Sequence, residues 1–138
     1  MGGNYCLIIS LEASVRKKVG RLGWLSFCQG YYIYIGSAKS NMDKRLARHS
    51  RKEKKLYWHI DYLLDSPHSA LKAIYSKNWE KGGECKTARR LRDKLQEIDG
   101  FGASDCSCNS HLYYFKPGQK AMVKIMLTGA GYKEIGKL

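Results

Sequence analysis

The stretch Gly30-Tyr31-Tyr32-Ile33-Tyr34-Ile35-Gly36 leaves the backbone few choices, because aromatic and β-branched residues stand between two glycines without a strong helix former. It predicts a strand whose alternation sets Tyr32 and Tyr34 on one face and Tyr31, Ile33 and Ile35 on the other. Gly36 ends that strand, and a Ser-Ala-Lys-Ser-Asn turn leads into a short basic helix over Met42-Asp43-Lys44-Arg45-Leu46-Ala47-Arg48-His49. Met42 and Leu46 form an apolar stripe that can dock on the sheet. Arg45 and His49 are four apart, so both project from one face. A strand with a tyrosine beside a helix with an arginine and a histidine makes a corner suited to phosphate.

At 138 residues and 43% hydrophobic content, the chain predicts one ordinary domain over 1–138 with a real core. Only two prolines occur, and no Ser/Gly-rich linker divides the sequence. No apolar run approaches a membrane span and no charged-then-apolar leader opens the chain, which predicts a soluble, cytoplasmic protein without membrane partners. Lysine and arginine total 25 against 12 acidic residues, a net charge of +13. Such an excess implies a polyanionic partner, nucleic acid first. A merely very soluble or ribosome-associated protein is the plainer alternative. The five cysteines, an odd number, argue against a disulfide framework and for reduced thiols.

Asn4 to Leu11 reads as a strand buried on at least one face. Ser14 to Gly20 is basic and polar, and Trp24 to Cys28 is a short strand or an ordered loop. Ser50 to Lys55 is a charge run, either a solvated loop or a contact for phosphate backbone. Leu56 to Leu64 predicts a second helix stopped by Asp65-Ser66-Pro67, with Trp58 and Tyr62 packing inward. Ala70 to Tyr75 fits a third strand, although a helix also fits. A helix is expected from Glu84 to about Glu97 with Ala88, Leu91 and Leu95 buried. His111 to Phe115 predicts a last strand, broken by Pro117, and Gln119 to Leu127 a terminal helix. The sum is an α+β domain with a small, mainly antiparallel sheet flanked by helices.

Gly3-Asn4-Tyr5 on the first strand, Tyr34-Ile35-Gly36 on the second and an arginine on the next helix resemble the GIY-YIG nuclease superfamily. Arg45 lies 11 positions after Tyr34 and His49 four beyond that, while Glu84 opens a helix 35 positions after His49, where the family's metal-binding glutamate is expected. The closer likeness is to the Uri-type branch of small stand-alone proteins. It rests on Tyr34-Ile35-Gly36-Ser37-Ala38, Arg45 with Arg48-His49, Trp58-His59-Ile60-Asp61-Tyr62, Glu84-Cys85, and Phe101-Gly102-Ala103-Ser104-Asp105-Cys106-Ser107-Cys108 with His111-Leu112. Asn4 stands where the family name has isoleucine, and 29 positions separate Tyr5 from Tyr34, a longer gap than the superfamily usually has. The asparagine that the superfamily places after the glutamate helix has two candidates here, Asn109 and Asp105.

The resemblance implies a metal-dependent endonuclease that hydrolyses nucleic-acid phosphodiester bonds, DNA before RNA. Arg45 would clamp the scissile phosphate. Glu84 would hold one Mg²⁺ or Mn²⁺, although a first-turn glutamate also stabilises a helix N-terminus without any metal. Tyr5, Tyr34 and His49 would handle the water and its proton. A tyrosine needs nearby positive charge to act as a base, and histidine titrates closest to neutrality. Arg16, Lys17, Lys18, Arg21, Arg48, Arg51, Lys52, Lys54 and Lys55 would hold the flanking backbone. The competing class is a noncatalytic basic nucleic-acid-binding module. Cys106, Cys108 and His111, with Cys85, have the ligand types of structural Zn²⁺. The tight Cys-x-Cys spacing and the distant fourth ligand favour buried free thiols instead.

Overall fold

Residues 3–11 (GNYCLIISL) are apolar at almost every position, and every one of them is buried. A strand of that kind belongs in the middle of a sheet covered on both faces. In the computed structural model, which describes residues 1–103 and 106–137, it does so. In chain order the elements are β1 (Gly3–Leu11), β2 (Val15–Val19), β3 (Gly23–Phe27), β4 (Gly30–Ala38), α1 (Met42–Ser50), α2 (His59–Leu64), β5 (Ser69–Asn78), α3 (Gly83–Arg92), β6 (Gln96–Glu97), β7 (Leu112–Phe115), α4 (Lys120–Gly129) and β8 (Lys133–Lys137).

Six strands form one sheet in the order β6-β7-β4-β1-β5-β8, with every pairing antiparallel. The remaining two, β2 and β3, form a separate hairpin. The fold is α+β with an antiparallel sheet, as the sequence predicts. Tyr32 and Tyr34 do share a face with Tyr5, Leu7 and Ile9, packed against Leu46 of α1 and Ile60 and Leu63 of α2. Ile33 and Ile35 lie on the other face with Ala88, Leu91 and Leu95, together with Val123 and Leu127 of α4. No helix among the described residues is long and apolar enough to cross a membrane.

Several elements differ from the sequence expectation. The basic segment after Ser14 is a strand: Arg16 and Lys18 of β2 point outward while Val15, Lys17 and Val19 face inward. Lys17 takes an inward position because its aliphatic stem can cover apolar surface while its ammonium reaches Asp65 at 3.3 Å. The helix expected from Leu56 starts only at His59, because Asp61 captures the Tyr57 and Trp58 amides and holds that approach extended. The helix expected to reach Glu97 stops at Arg92, and Gln96–Glu97 pair with β7 as a sheet edge. Beyond the glycines at 129 and 131 the chain adds β8 to the far edge.

Pairing of β1 with β4 puts Tyr5 directly opposite Gly36. A Cβ built on Gly36 would sit 2.5 Å from Tyr5 Cζ, so only glycine lets the phenol ring lie across β4. Replacing Gly36 by alanine forces the ring to move, and overpacking of this kind costs about 1–3 kcal/mol. The expected result for Gly36→Ala is a lower urea midpoint with an unchanged denaturant slope; an unchanged midpoint would show that the ring is not confined there.

Candidate active site

The start of β1 and the end of β4, paired as far as Gly3 and Ala38, lie beside α1 and the first turn of α3. A cleft of about 460 Å³ opens there, lined by Tyr5, Tyr34, Gly36, Ser37, Arg45, Tyr57, Trp58, His59, Glu84 and Gly102. Four side chains singled out from the sequence, Tyr5, Tyr34, Arg45 and Glu84, thus come from β1, β4, α1 and α3 to one concave surface. His49 is not among the lining residues.

Each wall is held by identifiable contacts. The Arg45 guanidinium donates to the Ser37 carbonyl and lies over the Trp58 ring, 4.9 Å from its centroid. Arg48 approaches the same ring, at 4.6 Å. Trp58 is itself fixed by Asp61, which is fully buried and accepts hydrogen bonds from the Tyr57 and Trp58 amides and two from Arg48. Burial pushes the Asp61 carboxyl up, but Arg48 and the two amides outweigh it and hold the group below the ordinary carboxylate range. His59 Nδ1 accepts the Gly102 amide at 2.8 Å, tying the loop after Phe101 to the rim. Gly102 has φ +70°, a left-handed conformation that suits glycine. His59 and Asp61 diverge as their spacing predicts, one toward the cleft and one toward Arg48.

Glu84 enters on the first turn of α3, following Gly82 in a left-handed conformation. Asn4 secures this approach: it is fully buried, and its Oδ1 accepts the Glu80 amide at 2.8 Å. Asn4 therefore anchors the segment that carries Glu84. Glu84 Oε2 lies 3.8 Å from His111 Nδ1.

Tyr5 Oη and His49 Nε2 share a buried hydrogen bond of 2.9 Å. His49 Nδ1 is also buried, without a partner among the described residues. An orphaned N–H is the rarer defect in proteins, so the tautomer that fits carries its hydrogen on Nε2 and donates it to Tyr5. Burial raises the Tyr5 pKa, while the Arg45 guanidinium, through its charge and a hydrogen bond, opposes that rise. With His49 donating to the phenol oxygen, the hydrogen of the Tyr5 hydroxyl is left for the cleft. Burial raises the Tyr34 pKa as well, with the charges of Tyr5 and Glu84 adding to it.

The nine basic residues assigned to backbone binding divide into two groups. Arg48 is bound to Asp61. Lys52 donates to the Leu64, Ser66 and Ser69 carbonyls, and Lys54 to those of Arg48, His49 and Arg51, so both cap helix C-termini. Lys17 pairs with Asp65. The run from Ser50 to Lys55 is therefore in large part a pair of caps and not simply a solvated loop. Arg16, Lys18, Arg21, Arg51 and Lys55 are exposed. Arg16 and Lys18 share the outer face of the hairpin with Trp24, and Arg16 stacks on that ring at 4.8 Å. The hairpin packs on α2, whose first residue lines the cleft.

Asn109 is exposed and donates to Glu97 and Asp99, away from the cleft. Asp105, the other candidate for that position, lies with Ser104 outside the described residues. Cys85, Cys106, Cys108 and His111 form a cluster that could hold a metal ion, with their ligand atoms all within 4.8 Å of one another.

A family model described as "Domain of unknown function DUF123" matches residues 4–131. The chain belongs to that family. No curated protein and no solved structure matches it. The DUF123 match takes in every cleft residue and all four members of the Cys/His cluster, and ends before β8.

His49 makes a prediction about stability. Burial lowers its pKa from 6.5 to about 4. Between those values the unfolded chain binds a proton that the folded one does not, so stability rises with pH across the window and is lost as pH falls from 6.5 to 4. The full loss is about 3 kcal/mol. Thermal midpoints of wild type and His49→Gln compared over this range should show a shallower slope for the variant; parallel slopes would mean that His49 is not buried in its neutral form.

Proposed function

We propose that this protein is a metal-dependent endonuclease of the GIY-YIG type, cutting the phosphodiester backbone of DNA in preference to RNA. The observation that carries the reading is the meeting of Tyr5, Tyr34, Arg45 and Glu84, from four separate elements, around one open cleft. A structural role explains any one of them. It does not explain a phosphate-binding guanidinium, a hard carboxylate and two phenols turned to a common solvent-filled space.

The donor set fits a hard divalent cation. One carboxylate in an open cleft, with hydroxyl oxygens nearby, suits Mg²⁺ or Mn²⁺, which keeps most of its waters and needs few protein ligands. Glu84 would hold it, and when bound it would neutralise phosphate charge and ease departure of the leaving oxygen.

The chain's own residues supply the rest. Arg45, braced by Ser37 and Trp58, presents its guanidinium to a nonbridging phosphate oxygen and so opposes charge that grows as water adds to phosphorus. Tyr5 faces the same space with its oxygen held by His49 and its hydroxyl hydrogen turned to the cleft, which suits it to orient the attacking water, whose proton passes to solvent. Tyr34 lines the wall beside it and fixes the water's approach. His49 acts through Tyr5 as a positioning residue, because it is buried behind the phenol and stays neutral near pH 7. In the balanced reaction the water oxygen forms a new P–O bond and loses one proton to solvent, the bond to the leaving oxygen breaks, and that oxygen takes up one proton from solvent. The exposed hairpin cations Arg16, Lys18 and Arg21, with Trp24 among them, suit contact with flanking phosphates.

The test separates cutting from binding. Labelled duplex, flap, single-stranded DNA and RNA are incubated with wild type and Glu84→Ala in Mg²⁺ or Mn²⁺. Wild type should nick DNA in a metal-dependent way; Glu84→Ala should retain salt-sensitive binding within about threefold and lose at least 10²-fold in cleavage rate. Binding without cutting by wild type across the panel would leave the noncatalytic binding module as the correct reading.

A further inference from the structure

The Cys/His cluster lies behind the cleft, in a part of the molecule that the cleavage reading does not use. Cys85 follows Glu84 in the first turn of α3, Cys106 and Cys108 sit in the long connection before β7, and His111 stands just ahead of that strand. Tetrahedral zinc with ordinary bond lengths places two sulfurs roughly 3.8 Å apart and a sulfur and a nitrogen roughly 3.6 Å apart. His111 Nε2 is 3.5 Å from Cys106 Sγ and 4.0 Å from Cys85 Sγ, and all four ligand atoms fall within 4.8 Å of one another. The set is therefore close to coordination geometry without any rearrangement of backbone. His111 is 2% exposed and the three cysteines are partly buried, so the cluster is shielded in part from solvent.

From this geometry we infer that Cys85, Cys106, Cys108 and His111, through Nε2, form a structural zinc site. Three thiolates and one imidazole satisfy four-coordinate zinc completely and leave no position for water, which is the pattern of a structural and not a catalytic ion. The same soft donors discriminate against Mg²⁺.

The site joins the start of α3 to the connection before β7, which Tyr113 already bridges by donating its hydroxyl toward the Ala88 and Ser110 carbonyls. The connection from Phe101 to His111 is closed at its base by the His111 amide donating to the Phe101 carbonyl, and His111 is tied to β4 by the Ile35 amide. Zinc would link that loop to the first turn of α3. Ligation through Nε2 also fixes the His111 tautomer, leaving Nδ1–H directed at Glu84, 3.8 Å away. Metal-bound histidines commonly hand their second nitrogen to a carboxylate, so the zinc site backs onto the residue proposed to hold the catalytic cation. The inference stands whether or not the cleft cuts nucleic acid.

Elemental analysis of protein purified under reducing conditions without chelator is the direct test, followed by replacement with Co²⁺. The expected result is stoichiometric zinc, and for the cobalt form the intense visible bands and sulfur-to-metal charge transfer of tetrahedral thiolate coordination. Cys108→Ser should lose the zinc, whereas Cys28→Ser, at an exposed thiol outside the cluster, should keep it. Should Cys108→Ser fail to fold, mercurial titration of wild type in the presence of a chromogenic chelator gives the same information, with zinc released as the cluster thiols react. Metal-free wild type with no thiolate–cobalt spectrum after reduction, or a disulfide among these cysteines in freshly purified protein, would overturn the site.

Discussion

The contact on which the cleft depends is the passage of the Tyr5 ring over the bare backbone of Gly36. Antiparallel pairing of β1 with β4 fixes the two residues opposite each other, and the absence of a Cβ lets the phenol lie flat enough to reach His49 on α1. A one-residue slip of this pairing would put Tyr5 and Tyr34 on opposite faces of the sheet. Register is protected against that slip from both sides. Leu7, Ile9 and Tyr32 are locked under α1 and α2, and Ile33 and Ile35 under α3 and α4. The chemistry at the end of the strands is in this sense set by packing along their whole length.

Positive charge is used in two distinct ways. Arg48, Lys52 and Lys54 are engaged within the chain, where buried Asp61 and the carbonyls at the ends of α1 and α2 take up their hydrogen bonds. Burial lowers the pKa of both lysines, which is tolerable only because those acceptors are supplied. Removing Asp61 would leave Arg48 without its carboxylate and release the Tyr57 and Trp58 amides, and with them the aromatic wall on which Arg45 rests. The exposed cations of the hairpin and of Arg51 and Lys55 carry no such duty. A net charge of +13 therefore overstates the charge offered to a partner.

What the sequence makes legible follows from how local each signal is. The β4 strand, the Met42–Leu46 stripe and the Ala88–Leu91 stripe are short-range patterns, and all three hold. His49 looks like a surface proton carrier when paired with Arg45, yet it also lies seven residues after Met42 and three after Leu46, on the buried stripe of the same helix. That second periodicity was available and points the right way. By contrast, β2 hides its alternation behind consecutive cations, and β6 and β8 are polar edges defined only by their partners. Nor can spacing reveal that Lys52 reaches three carbonyls, or that four ligands spread over 27 positions from Cys85 to His111 converge. Those are properties of tertiary geometry. Asn4 belongs with them: a buried amide on a central strand signals a tether, but not to what.

Binding of Mn²⁺ followed residue by residue in the amide spectrum of isotope-labelled protein tests the dispersed cleft most directly, because paramagnetic broadening falls off steeply with distance. The arrangement of Tyr5, Tyr34, Arg45 and Glu84 predicts that substoichiometric Mn²⁺ selectively broadens the amides of Tyr5, Gly36, Ser37 and Glu84 together, although they lie on three different elements. Broadening centred instead on other carboxylates, such as Asp43 or Glu53, with these four amides unaffected, would contradict it.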